Sequence, residues 1–319
     1  MTMSQPDAAL PRRPLGRTGL AVTPLCIGCA PLANMPGIFY PVPEAQALEL
    51  LQAAFRSPIN FLDTAAGYGD GESERRIGRA LAEFGGLPPG YVLATKVDRD
   101  ARTGDFSGEQ TKRSIERSLE LLGCERIQLL HLHDPEYSSF EVLTAPGGAV
   151  DVMRSYKEQG VVGALGVAGG PIDLLIRFLE LGIFDVVLTH NRFTLLDRSA
   201  EPLLAYAAAR GIAVLNAAPY GGGMLAKGPD AWGKYMYREA PSALIERARR
   251  MEAACRRHNV PLPAAALQFS LREPRITSTV VGMTRPERLA QTLELARHPV
   301  SAALWDELEA LSSEEIPNG

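Results

Sequence analysis

Eight short apolar segments alternating with helical segments predict an α/β fold in which a parallel sheet closes as a (β/α)8 TIM barrel. Three observations lead there. The alternation runs from residue 25 onward without a change in composition, no Ser- or Gly-rich linker divides it, and 319 residues is a length that one barrel can occupy. An open doubly wound sheet is the alternative that the same alternation allows.

Residues 1–12 include Ser4, Gln5, Pro6 and Asp7 and lack the apolar core of a signal peptide. They are expected to form a disordered leader, with residues 13–319 making a single domain. Leu15 to Val22 places two extended pieces around a polar turn at Thr18-Gly19, which predicts an N-terminal β-hairpin. Barrel strands are expected at Leu25 to Gly28, Ile59 to Asp63, Val92 to Thr95, Ile127 to His133, Ala164 to Ala168, Phe184 to Thr189, Ile212 to Asn216 and Thr279 to Gly282. Helices are expected between them at about 44–56, 72–85, 108–123, 147–160, 171–181, 199–210 and 263–273, and after the last strand at 286–296. In the second helix Ile77, Leu81 and Phe84 recur at helical spacing while Arg75, Arg76 and Arg79 fall on the other side. Two further stretches lie outside the alternation. Residues 220–262 form a long insertion after the seventh strand, with Trp232, Tyr235, Met236 and Tyr237 and then a helical run from Ala243 to Arg257. Residues 301–311, with Leu304, Leu308 and Leu311 on one face, predict an additional C-terminal helix.

Composition narrows the function classes. A net charge of −4 argues against a nucleic-acid or anionic-membrane surface, and no apolar run approaches the ~18 residues of a membrane span. A cytoplasmic protein is expected. Four cysteines over this length make no disulfide framework. Cys26 and Cys29 have redox-motif spacing, but Ala30-Pro31-Leu32 follows instead of a helix that starts at the first thiol. Cys124 and Cys255 stand alone, so no second pair supports zinc and no metal site is predicted.

The polar residues at strand ends carry the chemistry. Asp63 stops the second apolar run, and Tyr68 follows in a turn with glycines at 67, 69 and 71. Lys96 follows Thr95 at the end of the third strand and His133 ends the fourth. In a barrel those carboxyl ends converge on one mouth, where ligands bind. Each residue alone is more often structural: a lone strand-end Lys is usually a solvated charge, and a lone His a satisfied one. The conjunction over three successive strand ends favours function. A lysine held by Asp63 beside Tyr68 is expected to lower the phenol's pKa from ~10 and so equip it for proton transfer with a carbonyl or alcohol oxygen. His133 would orient that oxygen, and His131, two residues back on the same side, is expected in the barrel interior.

At these residues the sequence resembles the aldo-keto reductase superfamily, from Leu15 to about Leu311. The motifs are Phe61-Leu62-Asp63-Thr64-Ala65 with Tyr68, Gly71-Glu72-Ser73-Glu74 leading to Ile77-Gly78, Thr95-Lys96, and Leu132-His133. The resemblance implies a barrel closed below by the hairpin, and NAD or NADP as cofactor. It gives Tyr68 the role of general acid/base, Lys96 and Asp63 that of its tuning pair, and His133 that of orienting the substrate oxygen. Leu132-His133-Asp134-Pro135, Phe193 to Asp197 and Asn216 to Leu225 further resemble the branch with L-fucose (D-threo-aldose) 1-dehydrogenases, L-galactose dehydrogenase and pyridoxal 4-dehydrogenase. Those enzymes oxidise a cyclic hemiacetal to a lactone, so a small carbonyl or hemiacetal substrate is implied.

By the same resemblance cofactor contacts fall at His190, Asn191, Tyr220, Gly221, Gly222, Gly223, Met224, Leu225, Gly282, Thr284, Arg288 and Gln291. The chain also departs from the family pattern. Ala168-Gly169 replaces the usual Ser-Asn pair, Ala217 stands where an aromatic stacks on nicotinamide, which makes Tyr220 a candidate, and Gly282 replaces the phosphate-binding Lys. With Arg288 kept, the balance favours NAD, with NADP as the alternative. The glycines at 221–223 are expected to leave backbone N–H groups open to a pyrophosphate. Substrate contacts are expected from Asn34, Tyr40, Glu136, Tyr137, Trp232, Tyr235 and Tyr237 by their positions in loops. The alternatives are an NADPH-dependent aldehyde or ketone reductase and a nucleotide-binding regulatory subunit without turnover. The oligomeric state is left open.

Overall fold

The computed structural model describes residues 10–313. Residues 1–9 of the expected leader, and 314–319, lie outside the described residues. Leu10, also within the expected leader, packs against the apolar layer between sheet and helices.

Eight strands close a parallel barrel: β1 (Leu25–Gly28), β2 (Phe61–Asp63), β3 (Val92–Val97), β4 (Ile127–His133), β5 (Val162–Gly169), β6 (Val186–His190), β7 (Ala213–Ala217) and β8 (Ser278–Gly282). Closure comes from β8, which pairs with β7 on one side and with β1 on the other, Val280 opposite Cys26. The open doubly wound sheet is thereby excluded. The helices α1 (Glu44–Arg56), α2 (Glu72–Phe84), α3 (Gly108–Leu122), α4 (Ala149–Glu158), α5 (Ile172–Leu179), α6 (Glu201–Ala208), α7 (Leu262–Leu271) and α8 (Pro286–Arg297) follow the strands in turn. Among the described residues no helix is long and apolar enough to cross a membrane.

Alternation along each strand sorts the side chains. Leu62, Leu93, Leu130 and Val187 point outward into the apolar layer under the helices, whereas Phe61, Val92, Ala94, Leu129, Val186 and Leu215 fill the barrel interior. The hairpin pairs only Arg13 with Val22 and Pro14 with Ala21, so its first strand precedes Leu15, where the sequence placed its start. Its Leu15 and Val22 join the interior cluster and plug the amino end of the barrel. Gly16 lets the hairpin lie that close, since a Cβ there would stand 2.8 Å from the Asp185 carbonyl oxygen.

The insertion after β7 holds a short helix at Met224–Lys227, a two-stranded hairpin of Lys234–Tyr235 with Arg238–Glu239, and a helix at Ser242–Arg257. That last helix pairs with the terminal helix, Ala302–Ser313, through Arg257 and Glu307. Leu304, Leu308 and Leu311 are buried beneath it, on the face their spacing predicted.

Candidate active site

The carboxyl ends of β2, β3 and β4 bring Asp63, Lys96 and His133 to one side of the mouth, and the loop after β2 folds Tyr68 over them. All three N–H bonds of the Lys96 ammonium are directed: to Asp63 Oδ1 at 2.6 Å, to the Thr64 carbonyl oxygen at 2.6 Å and to Tyr68 Oη at 3.3 Å. A cation with three fixed acceptors cannot swing away. The Tyr68 oxygen accepts from Lys96, which leaves its own hydrogen to point elsewhere. The ring of Tyr68 meets that of His133 edge to face, with centroids 5.5 Å apart. His133 Nδ1 lies 2.7 Å from Asp98 Oδ1 and its Nε2 3.7 Å from Asp134 Oδ1.

Burial and charge compete here, and the balance differs at each group. For Tyr68 desolvation outweighs the nearby ammonium, so its pKa is raised instead of lowered, which corrects the expectation from sequence. Desolvation would push Lys96 down, but the Asp63 carboxylate and Tyr68 overcome it and the net shift is upward. Burial likewise opposes the charged form of His133, and Asp98 and Asp134 together reverse it, raising the imidazole. His131 is fully buried in the interior, as its spacing implied, and burial holds it well down, in the neutral form.

A second region lies across the mouth. A cavity of about 290 Å³ runs between the loops after β1, β7 and β8, lined among others by Tyr40, Tyr220, Gly222, Gly223, Trp232, Tyr237, Gly282, Thr284, Arg288 and Gln291. Most of the cofactor residues expected from sequence meet here. Tyr40 and Trp232, expected to touch substrate, line this groove too, with the Lys227 ammonium 5.5 Å from the Tyr40 ring centroid and 3.3 Å from that of Trp232. Gly221, Met224 and Leu225 are buried just behind it.

The glycine turn works differently from its sequence reading. The amides of Gly221, Gly223 and Leu225 donate within the turn, to Ala218 and Tyr220 carbonyls, so they are not free for a pyrophosphate. Glycine is needed because the insertion presses on the turn: a Cβ on Gly221 would stand 2.2 Å from the Tyr235 ring, at φ +61. Tyr235 accordingly is not at the surface of the site. It is buried, and its hydroxyl donates to the Asn191 carbonyl.

Asn191 is itself buried with φ 59, its Nδ2 3.1 Å from His190 Nδ1 and its Oδ1 unpartnered among the described residues. That orphan acceptor, beside the mouth and beyond the apolar groove, fits an amide-bearing ring such as nicotinamide. Asp134, Glu136 and His190 each bring one oxygen or nitrogen within 4.8 Å of the others, making a rim rich in acceptors above Ala168. Glu136 fills the space left by glycines 169 and 170, accepting from Gly170 N at 3.1 Å. Tyr137 lies outside, 61% exposed, with the Arg99 guanidinium stacked on it. Asn34 turns its side chain to its own loop, its Oδ1 accepting from Val42 N at 2.7 Å.

Asp98 was missed from sequence. The third strand was expected to stop at Thr95, before the polar run, but it continues to Val97 and carries Asp98 onto the side of Lys96. Period-two spacing from Lys96 was the available signal.

A closed barrel with Asp63, Tyr68, Lys96 and His133 at its mouth and a groove beside them has the parts of an NAD(P)-dependent oxidoreductase. The chain belongs to the aldo/keto reductase family, whose model matches residues 24–313. Among known proteins it is similar to D-threo-aldose 1-dehydrogenase of Pseudomonas sp., at 33% identity over 97% of each chain. It is also similar to L-galactose dehydrogenase of Arabidopsis thaliana, at 31% identity over 94% of this chain and 93% of that one. Pyridoxal 4-dehydrogenase of Microbacterium luteolum is 30% identical over 94% of this chain and 96% of its own. An aldo-keto reductase structure from Bacillus halodurans shares the fold, with a TM-score of 0.78 over 96% of this chain and 98% of that one, at 20% identity.

Proposed function

We propose that this enzyme oxidises the cyclic hemiacetal of a small aldose, or of pyridoxal, to the lactone, with NAD favoured over NADP. The observation that carries the reading is the Lys96 ammonium bonded at once to Asp63, Thr64 and Tyr68 beside His133. The substrate class follows from the relatives' names, and the acceptor rim of Asp134, Glu136 and His190 suits a hydroxylated ring.

In this direction a hemiacetal carbon loses hydride while its hydroxyl loses a proton, and a C=O bond forms. The nicotinamide, when bound, supplies the hydride acceptor. Tyr68 Oη takes the hydroxyl proton, and the Lys96 charge stabilises the phenolate that must precede this. Asp63 keeps Lys96 in place and cationic. His133 gives its Nδ1 hydrogen to Asp98, and as the imidazolium that Asp98 and Asp134 favour it also donates from Nε2 to the substrate oxygen and fixes its direction toward Tyr68. Arg288 donates to Gln291 Oε1 at 2.6 Å, and Gly282 adds no cation, so a 2′-phosphate would meet one partly committed guanidinium.

The test follows the reduced-nicotinamide absorbance with NAD and NADP separately against L-fucose, L-galactose, D-arabinose and pyridoxal. Growth of the band with one of these, faster with NAD, is expected. Consumption of NADPH by simple aldehydes with no sugar or pyridoxal oxidation would move the assignment to a reductase. Nucleotide binding without turnover in either direction would leave a binding subunit.

A further inference from the structure

Asp98 enters the chemistry above only through His133, yet its carboxylate reaches both halves of the site. Oδ1 is 2.7 Å from His133 Nδ1, and Oδ2 accepts the amide hydrogen of Gly67, the residue before Tyr68, at 2.6 Å. The backbone of Asp98 is itself held by α3: its N–H donates to Ser114 Oγ and its carbonyl accepts from Gln110 Nε2, each at 3.2 Å. Gly67 is matched to this contact, since a Cβ there would stand 2.7 Å from Asp98 Cγ.

Tyr68 and His133 must address one substrate oxygen, but they come from different elements, a loop after β2 and the end of β4. Their direct contact is one edge-to-face pair of rings, which fixes direction weakly. We propose that Asp98 is a positioning residue for this reaction: it holds Nδ1 of His133 so that Nε2 faces the substrate oxygen, and it locks that imidazole to the loop that presents Tyr68. The inference rests on the reaction proposed above.

The charges around His133 make the role measurable. Asp98 and Lys96 face it from β3, Asp134 and Glu136 from the loop after β4, Tyr68 from the loop after β2, and His131 and His190 from the interior and β6. Asp98 is the carboxylate in hydrogen-bond contact, so neutralising it leaves burial and Lys96 opposed mainly by Asp134.

The experiment uses the full chain and Asp98→Asn, which keeps an oxygen for Gly67 N–H and removes the charge. The titration of the His133 ring is followed by NMR, its signal identified by its loss in His133→Gln. The expected result is a His133 midpoint lower by about one pH unit, and a kcat lower by about 10- to 100-fold with KM changed far less. The limb of the kcat profile that reports His133 should move to lower pH with it. A kcat within about twofold of wild type would overturn the inference whatever the His133 titration does, since loss of a neighbouring charge lowers the midpoint even where Asp98 positions nothing. If Asp98→Asn does not fold, Gly67→Ala retains the charge and pushes the carboxylate off Nδ1; an unchanged titration there overturns it equally. Absence of turnover in the wild type would refute the proposed reaction, whereas the Gly67→Ala titration still decides whether Asp98 holds the imidazole.

Discussion

His131 faces Gly166 across the β4–β5 pair, and a Cβ on Gly166 would lie 2.3 Å from its Nδ1. The imidazole is fully buried, and the Val186 carbonyl closes the other side at 3.0 Å. Gly166→Ala should therefore destabilise the barrel by about 1–3 kcal/mol, read as a lowered denaturation midpoint. A midpoint equal to wild type would mean that the imidazole has room to turn. At the same scale Tyr68→Phe removes only the proton-transfer oxygen: nucleotide binding should persist while kcat falls by at least about 100-fold. Because burial raises the Tyr68 pKa, the phenol stays protonated through neutral pH, and oxidation, which needs the phenolate, should accelerate as pH rises into the alkaline range. Reduction, which uses the phenol as acid, should show no such rise. Asp63, Lys96 and His133 were legible in sequence because each is a polar interruption of an apolar run, and Tyr68 because it stands in the glycine turn that follows the first of them. The sign of the Tyr68 shift was not, since it depends on how much water the folded mouth excludes.

α2 and β3 are joined by a buried pair in which Thr95 Oγ1 donates to Glu74 Oε1 at 2.5 Å. Thr95 points outward while Lys96 points into the barrel, so the helix grips the strand directly behind Lys96. Burial raises the Glu74 carboxyl from 4.5 to about 7. Between those values the folded chain retains a proton that the unfolded chain has released, so stability is lost as pH rises through this window. The loss is at most about 3 kcal/mol. Glu74→Gln should flatten the fall in denaturation midpoint from pH 5 to 8, and a variant with the wild-type slope would assign that slope to other groups. Helices and strands were legible to within a few residues because their periodicities differ. The hairpin at 234–239 was not: Met236 and Tyr237 adopt positive φ at its turn, and no glycine or asparagine there announces it. Tyr235 looked like a lid residue for the same reason, whereas its place beneath Gly221 follows only from how the insertion folds back.

The whole barrel decides where the groove is. Its walls come from the loops after β1, β7 and β8, so residues from Pro31 to Leu295 meet only when the sheet is closed. A ligand that binds there stabilises the closed form alone, and NAD(P) at a hundred times its Kd should add about 2.7 kcal/mol to unfolding. A denaturation midpoint that ignores the dinucleotide would mean that the folded chain does not bind it. Eight strands and their closure into a barrel were legible in the alternation and the chain length, and the pairing of β8 with β1 excludes the open doubly wound sheet that the same alternation allowed. That seam joins Cys26 to Val280 across most of the chain. During synthesis the amino-terminal half therefore leaves the ribosome with β1 as an open edge, able to pair with a neighbouring nascent chain, and it must wait for nearly the last strand to cover it. The hairpin plug cannot shield that edge sooner, because Leu15 and Val22 pack in the interior with Val186, Leu215 and Val280, which are made later.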